Sequence, residues 1–432
     1  MIEFNEKNET VAEKTTRAIL MGVSFGEDIS ESMKELENLA ASAGAEVLGV
    51  MEQSREKPES ATYIGKGKVE ELAEMCGSME ADSVIFNNEL SGVQIRNLED
   101  ALGVSVIDRT VLILDIFASR AASSAGKLQV ELAQLQYRLP RLTGFGGALS
   151  RTGGGIGTRG PGEKKLETDR RHIQSRIDEI RRELKDAEKA RDITRRKREK
   201  NDIPAAALVG YTNAGKSAVM NMMLSLNESQ GTEVLEKNML FATLDVSHRR
   251  ISFGQNRTFI LTDTVGFVSK LPHTLVEAFK GTLEEALYAD LIINVTDISD
   301  PDYQFKMDVT DKLLNEIGAG DIPRINVFNK MDLVDSPSGI VPDSPYESVY
   351  ISAKYGDGAD EFRKLIEDKL FSDEKEAELL VPYDKGSITS YLCDKCAVKE
   401  MDYRADGTYF RVMLPKADYQ RFRQYFITDK AE

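Results

Sequence analysis

Cysteine and histidine are scarce in this chain, and neither residue type forms an obvious ligand set. Among 432 residues there are three cysteines without periodic spacing and three scattered histidines. The cysteines therefore provide no disulfide framework, which is consistent with a reducing cytosol. Cys393 and Cys396 form a C-x-x-C pair, but no second ligand pair follows, which favours local packing over a zinc site.

Long apolar runs are also missing. The longest are of strand length, far below the roughly 20 residues that a membrane-spanning helix needs, and the N-terminal segment is acidic and polar rather than a secretory leader. We therefore expect a cytoplasmic protein with no membrane partner. The net charge of −16 argues against unfocused binding of nucleic acid over the whole surface, although it leaves room for a local basic patch.

A phosphate-binding loop follows the short apolar run 205–209. It covers residues 210–217, which read GYTNAGKS, and a helical pattern begins after it. Strand, glycine-rich loop and helix are the context in which this motif binds phosphate, because backbone N–H groups and the helix N-terminus form an anion cradle. We expect Lys216 to reach the β- and γ-phosphates and the Ser217 hydroxyl to bind Mg²⁺.

Further elements follow in the order of a guanine-nucleotide site, and their number makes a chance match negligible. Asp263 ends a second apolar strand and can hold Mg²⁺, usually through water. Gly266 can present its N–H to the γ-phosphate because no side chain intervenes. Thr243 is the candidate switch threonine that binds the metal when the γ-phosphate is present. The predicted metal ligands are thus Ser217, Thr243 and Asp263, and the predicted catalytic residues are Lys216, Thr243 and Gly266.

The base pocket is predicted from Asn329-Lys330-Met331-Asp332 and Ser352-Ala353-Lys354. A carboxylate at Asp332 accepts two hydrogen bonds from guanine, whereas adenine would leave it unpaired at a cost of about 1–3 kcal/mol. Asn329 is expected to brace the loops, and the Lys330 stem to pack on the base. The full set of predicted GTP or GDP contacts is Gly210, Tyr211, Thr212, Asn213, Ala214, Gly215, Lys216, Ser217, Ala218, Phe241, Ala242, Thr243, Asp263, Thr264, Val265, Gly266, Asn329, Lys330, Asp332, Ser352, Ala353 and Lys354.

Glutamine is absent from the position after Gly266, where many GTPases use it to orient the attacking water. Phe267 stands there instead and cannot orient water through a hydrogen bond. The sequence therefore predicts slow intrinsic hydrolysis that a partner accelerates.

The chain as a whole predicts an α/β protein of several parts. Residues 1–125 are predicted to form a parallel α/β domain, because residues 17–107 alternate strand and helix patterns. Residues 126–201 are predicted to form a helical hairpin with a Gly/Arg-rich loop, 202–371 the GTPase domain, and 372–432 a small α+β domain. In the first part, residues 63–68 (YIGKGK) are compatible with a phosphate contact and equally with a charged turn that begins a helix.

Two apolar stripes at heptad spacing predict the hairpin. The economical arrangement is an antiparallel pair in which each stripe covers the other, and the alternative is two amphipathic helices packed on a domain. At about 1.5 Å per residue, the second arm could exceed roughly 40 Å. The stripes are Leu128, Leu132, Leu135 and Leu139, followed by Ile173, Ile177, Ile180, Leu184 and Ala187.

The long segment between the stripes, residues 140–162, contains Arg141, Arg151 and Arg159 and no acidic residue. Loops of this length are usually functional or disordered. Glycine lets a backbone approach a surface closely, and arginine suits phosphate. We interpret the segment as a probe inserted into RNA, with a disordered linker as the alternative. The basic run 191–200 is either a second RNA contact or a solvated helix face.

In these details the chain resembles the HflX family of ribosome-associated GTPases over roughly residues 20–370. The resemblance implies binding to the large ribosomal subunit and its RNA, with GTP-dependent splitting or rescue of ribosomes and with the arginine loop reaching toward the peptidyl transferase centre. It also implies ribosome-stimulated hydrolysis, since a hydrophobic residue replaces the catalytic glutamine in that family. The stretches that carry it are 63–68, 108–110, 129–135, 160–163, 241–245, 263–267 and 271–272.

From the motifs and this resemblance we expect a monomer that binds GTP, GDP and Mg²⁺ and is partly ribosome-associated in the cytoplasm. Two positions depart from the family pattern: residues 246–248 read VSH where the family usually has Pro and two Thr, and Ala218 replaces a common Thr. The competing hypothesis is an RNA-binding or assembly factor that uses GTP as a conformational latch. An ATPase is disfavoured by Asp332.

Overall fold

The computed structural model describes residues 15–142, 161–200, 203–226, 247–254, 256–269, 286–334 and 344–427. The chain divides into two compact units, and the division falls between Lys185 and Asp186. The first unit holds one sheet, and the second holds two. Within the described ranges, no helix combines the length and the apolar character needed to cross a membrane.

The first sheet is parallel, with the strand order β2-β1-β3-β4. Its central strands are almost entirely buried because helices cover the sheet, as expected for parallel strands with apolar sequences. The motif at 63–68 leads into a helix that begins at Lys66, so it includes the turn at a helix start. The elements are β1 (Thr16–Ser24), α1 (Ser30–Ser42), β2 (Ala45–Ser54), α2 (Lys66–Met79), β3 (Ser83–Phe86), α3 (Gly92–Leu102) and β4 (Ser105–Asp108).

Three helices follow this sheet: α4 (Arg109–Arg120), α5 (Ser124–Arg141) and α6 (Pro161–Lys200). The two predicted stripes pack on each other, with Leu132, Ile177 and Ile180 buried at their centre. Arg176 strengthens the pair by donating to both carboxylate oxygens of Glu131, at 2.8 and 2.9 Å. The prediction that the stripes cover each other is therefore confirmed, and the 40 residues of α6 extend about 60 Å.

The second sheet has six strands in the order β10-β9-β8-β5-β7-β6, all parallel except β6. The carboxyl ends of its parallel strands meet at one edge, which is where ligands bind in open α/β sheets. The elements are β5 (Ala205–Val209), α7 (Lys216–Ser225), β6 (Ser247–Ser252), β7 (Thr258–Asp263), β8 (Leu291–Asp297), α8 (Tyr303–Glu316), β9 (Arg324–Asn329), β10 (Glu347–Tyr350) and α9 (Ala359–Leu370).

The third sheet is antiparallel, with the strand order β11-β13-β12. Alternate residues of β11 and β13, such as Leu379, Phe410 and Val412, form its buried core. The elements are β11 (Lys375–Val381), α10 (Gly386–Lys395), β12 (Ala397–Arg404), β13 (Gly407–Leu414) and α11 (Lys416–Arg421). The predicted α/β class, with a parallel N-terminal domain, a central nucleotide domain and a small C-terminal α+β domain, is confirmed.

Candidate nucleotide site

The phosphate-binding loop connects β5 to α7, and its backbone is shaped to wrap around an anion. Gly210 and Gly215 have φ angles of 142° and 94°, in a region that favours glycine. A β-carbon at Gly210 would lie 2.2 Å from the Val295 carbonyl oxygen, and one at Gly215 would lie 2.2 Å from Asn329 Nδ2. Close backbone approach and the φ angles both require glycine at these two positions.

Lys216 begins α7 and is buried inside this loop. Its ammonium group donates to the carbonyl oxygens of Gly210 and Tyr211, each at 3.0 Å. Burial lowers the pKa of Lys216 to about 8, and the charge of Asp263 opposes that shift. A bound phosphate chain would supply additional negative charge and favour the protonated lysine.

The residues predicted to hold Mg²⁺ lie together where the structure describes them. Ser217 Oγ donates to Asp263 Oδ2 at 3.0 Å, and Asp263 is fully buried at the end of β7. A hydroxyl and a carboxylate are the oxygen ligands that Mg²⁺ prefers. Nearby in the chain, the buried Thr212 hydroxyl has no hydrogen-bond partner among the described residues, so a ligand oxygen could satisfy it. Thr243, like Phe241 and Ala242, lies outside the described residues.

The segment after β7 is hydrogen-bonded to the phosphate loop, a feature that the sequence reading missed. Thr212 N donates to the Phe267 carbonyl at 2.7 Å, and Phe267 N donates to the Gly210 carbonyl at 3.1 Å. Ser269 N donates to the Tyr211 hydroxyl at 2.6 Å. The Phe267 ring is buried, with 2% exposure. Three hydrogen bonds therefore hold residues 267–269, which we call the switch segment, against the phosphate loop.

Gly266 also lies close to the phosphate loop. A β-carbon there would be 2.9 Å from Thr212 Cα and 3.0 Å from Lys216 Nζ. Only glycine lets the backbone come this near to the lysine. The role of the Gly266 N–H toward a phosphate stays a prediction. The neighbouring residues are structural: the Thr264 hydroxyl donates to the Leu208 carbonyl at 2.7 Å, and Val265 is buried.

Asn329 links the phosphate loop to the 352–354 segment. Its Nδ2 donates to the Ala214 carbonyl, and its Oδ1 accepts from Ala353 N, both at 3.0 Å. Asn329 has 2% exposure, so both hydrogen bonds are shielded from water. This arrangement is the bracing that the sequence predicts for Asn329, and it joins three loops at the carboxyl edge of the sheet.

The remaining base-pocket residues are held by polar contacts. Ser352 Oγ donates to Asp332 Oδ1 at 2.6 Å, which orients the carboxylate and leaves its other oxygen for a further donor. Lys330 has a φ of 64°, and its ammonium is 2.6 Å from Asp297 Oδ2. Asp297 was not predicted as a site residue, although it ends β8 as Asp263 ends β7. Lys354 Nζ lies 4.8 Å from the centroid of the exposed Tyr355 ring.

Other predicted residues fall on the edge of the site or outside it. Ala218 is part of α7, and Asn213 has a φ of 62° in the loop. The departure at 246–248 places His248 on β6, where Nδ1 is 3.0 Å from Thr262 Oγ1. Arg151 and Arg159 lie outside the described residues. Arg141 is described, and its guanidinium donates to the Leu90 carbonyl within the N-terminal domain. Its predicted contact with RNA stays a prediction.

Comparison with known proteins gives matches along nearly the whole chain. Family models described as GTP-binding GTPase N-terminal, GTP-binding GTPase Middle Region and 50S ribosome-binding GTPase match residues 30–118, 120–198 and 205–330. GTPase HflX of Caldanaerobacter subterraneus is 49% identical over 420 residues, 97% of this chain and 96% of that protein. GTPase HflX of Escherichia coli is 39% identical over 410 residues, 94% and 95% of the two chains.

A solved structure of a GTP-binding protein from Sulfolobus solfataricus in complex with GDP is also similar. It is 24% identical, and the match covers 83% of this chain and 99% of that one with a TM-score of 0.43. The family assignment rests on the two HflX proteins, which are more similar in sequence to this chain and match nearly its whole length.

Proposed function

This chain belongs to the HflX family of GTPases, and we propose that it uses GTP hydrolysis to act on the large ribosomal subunit, splitting or rescuing ribosomes. GTP binding and hydrolysis follow from the family. We infer in addition that the partner is the large ribosomal subunit and that the task is ribosome splitting or rescue. The proposal is supported by the match of residues 205–330 to a family of 50S ribosome-binding GTPases, and by the arginine-bearing segment between α5 and α6.

The observation that carries the proposal is Phe267. It is buried and hydrogen-bonded through its backbone to the phosphate loop, at the position where a glutamine would orient the attacking water. The chain therefore lacks one part of the hydrolytic machinery at that position, and we infer that a partner completes it. Such a GTPase hydrolyses GTP rapidly only when the partner is bound. A nucleotide switch that acts on the ribosome needs this property.

We propose the following roles for the site residues. Lys216 and the loop N–H groups hold the β- and γ-phosphates, and Asp332 selects guanine. Ser217, Asp263 and Thr243 hold Mg²⁺, which would offset the charge that develops on the phosphates. The Gly266 N–H senses the γ-phosphate, so that its loss on hydrolysis changes the contacts of the switch segment.

Co-sedimentation with separated ribosomal subunits tests the proposal. With a non-hydrolysable GTP analogue, the protein should pellet with large subunits, and it should be released with GDP and fail to pellet with small subunits. Lys216→Ala, which removes the phosphate contact, should pellet equally in both nucleotide states. Equal binding to both subunits, or no dependence on the nucleotide in the unaltered protein, would contradict the proposal. Preference for immature particles would favour an assembly role instead.

A further inference from the structure

The last turn of α5 is fastened to the carboxyl edge of the first sheet by residues that the nucleotide site does not use. We call Leu90, Gly92, Asp108, Tyr137 and Arg141 the α5 clamp. The helix ends at Arg141, and the chain then enters the glycine- and arginine-bearing segment. The clamp is therefore the base from which that segment leaves the N-terminal domain.

Arg141 is held from several directions. Its Nε and Nη2 donate to the Leu90 carbonyl at 3.1 and 2.8 Å, and Nη1 donates to the Tyr137 carbonyl at 3.1 Å. The guanidinium carbon lies 3.4 Å from the centroid of the Tyr137 ring. Only 21% of the side chain is exposed. A lysine could not reproduce this planar fork together with the stacking, because its ammonium is a point charge on a flexible stem.

Asp108 connects the clamp to the sheet. It is fully buried at the end of β4, and its carboxylate accepts hydrogen bonds from Leu90 N and Val111 N, both at 3.1 Å, and from the Tyr137 hydroxyl. Arg141 Nη2 lies 3.7 Å from the same carboxylate and offsets its buried charge. Burial, with the charge of Asp108, raises the pKa of Tyr137, so the phenol stays protonated and remains the donor.

Gly92 brings the start of α3 into backbone contact with the end of α5. A β-carbon at Gly92 would lie 2.6 Å from the Arg141 carbonyl oxygen and 3.1 Å from Arg141 Cα. Leu90, two residues earlier, is held on both sides, since its N–H donates to Asp108 and its carbonyl accepts from Arg141. Side-chain and backbone contacts therefore fix the same helix end.

We propose that Arg141 is a positioning residue for the ribosome-dependent step, and that it fixes where residues 143–160 leave α5 instead of contacting RNA itself. This inference rests on the proposed function, since the segment needs a target. If the clamp holds the end of α5 rigidly, the segment loses less conformational entropy when it binds. Loosening the clamp should therefore weaken binding to the large ribosomal subunit.

Hydrogen exchange of the full-length protein without ribosomes tests the α5 clamp directly. Arg141→Met and Arg141→Lys should both accelerate exchange of the backbone amides of residues 138, 139, 141 and 142, on the order of ten-fold. Arg138→Met is the matched control, because Arg138 is exposed in the same helical turn and carries the same charge. Exchange in Arg141→Met equal to that of the unaltered protein would overturn the clamp.

The salt dependence of binding to large subunits separates positioning from an RNA contact. Positioning predicts that Arg141→Lys loses as much affinity as Arg141→Met, on the order of ten-fold, with an unchanged slope of log affinity against log salt. A phosphate contact predicts that Arg141→Lys binds normally and that Arg141→Met reduces the slope by about 1. Arg138→Met should behave as the unaltered protein, and GTP affinity should be unchanged in all variants.

Tyr137→Phe provides a milder test if the Arg141 variants are unstable. It keeps the ring beneath the guanidinium and removes the hydroxyl that donates to Asp108. Its exchange rate and subunit affinity should lie between those of the unaltered protein and Arg141→Met, and no change in either would contradict the clamp. If the unaltered protein does not bind large subunits, the proposed function fails, while the exchange experiment still decides the clamp.

Discussion

At the residue scale, the nucleotide site depends on buried polar side chains whose partners come from loops at strand ends. The Asn329 side chain is hydrogen-bonded to the backbone of Ala214 and Ala353, and the Ser352 hydroxyl donates to the Asp332 carboxylate. These contacts preorganise the base pocket before any ligand arrives, which reduces the cost of binding. In the proposed site, guanine specificity rests on the Asp332 carboxylate, which Ser352 already orients.

Asp332→Asn should exchange guanine for xanthine specificity. The amide would present a donor to the guanine N1–H, while xanthine offers an acceptor in place of the exocyclic amine. We expect a loss of about 1–3 kcal/mol in GTP affinity, roughly five- to 150-fold, with a gain for xanthosine triphosphate. Competition binding with labelled GDP measures both. The Ser352→Ala control should lose affinity without this exchange, and equal binding of ATP and GTP by the unaltered protein would refute a guanine site.

GTP affinity should depend on pH through Lys216. Its pKa is lowered to about 8 by burial, and a bound phosphate favours the protonated form. Affinity should therefore decline as pH rises through about 8, because the free protein loses the proton that binding requires. Titration calorimetry from about pH 7 to 9 should detect proton uptake in the upper range. In Lys216→Met the affinity should be low and independent of pH, and a flat profile for the unaltered protein would contradict the assigned role.

At the element scale, the turn between β6 and β7 joins the nucleotide domain to the C-terminal sheet. Asn256, with a φ of 59°, donates to the carbonyls of Cys393 and Cys396 at the end of α10. Arg257 donates to Glu374 at 2.9 Å and to Glu367 at 3.2 Å. Since β7 ends at Asp263, this turn links the predicted metal site to the C-terminal domain through one hairpin.

Arg257→Met should destabilise that junction. The variant leaves Glu374 without its charged partner, and we expect a loss of about 1–3 kcal/mol in the free energy of unfolding. Urea denaturation followed by circular dichroism measures it, with Arg423→Met as a control for the loss of an exposed arginine. Equal stability of the two variants would show that the contact contributes nothing.

The contrast between predictable and unpredictable features is clearest among these elements. Parallel strands, the phosphate loop and the heptad stripes follow from local patterns, so the sequence predicts them directly. The Tyr211–Ser269 hydrogen bond and the Lys330–Asp297 pair join residues far apart in the chain, and a single sequence carries no signal of such pairing. The contacts of Arg141 could not be predicted for the same reason, because its partners Leu90 and Asp108 are distant in sequence.

At the scale of the whole molecule, the chain couples a GTPase domain to a long helical pair. The covalent link is short, since α6 ends at Lys200 and β5 begins at Ala205. The same helix, α6, therefore follows the arginine-bearing segment and precedes the GTPase domain in the chain. The proposed ribosomal task assigns a role to each part, and substitutions can alter the two parts separately.

Neutralising Arg151 and Arg159 together should weaken binding to large subunits and leave GTP affinity unchanged. If both side chains contact phosphates, the slope of log affinity against log salt should fall by about 2. Fluorescence anisotropy at several salt concentrations measures this slope. Replacing the exposed Lys416 and Arg423 provides a control of equal charge, and an unchanged slope in the loop variant would remove the RNA contacts from the proposal.

The most direct test of a partner-completed GTPase is its turnover rate with and without large ribosomal subunits. With Phe267 in place of a water-orienting glutamine, the isolated protein should hydrolyse GTP slowly, and saturating large subunits should accelerate turnover at least about ten-fold. Lys216→Ala should remain inactive in both conditions. Fast turnover by the isolated protein that large subunits leave unchanged would contradict the proposed function.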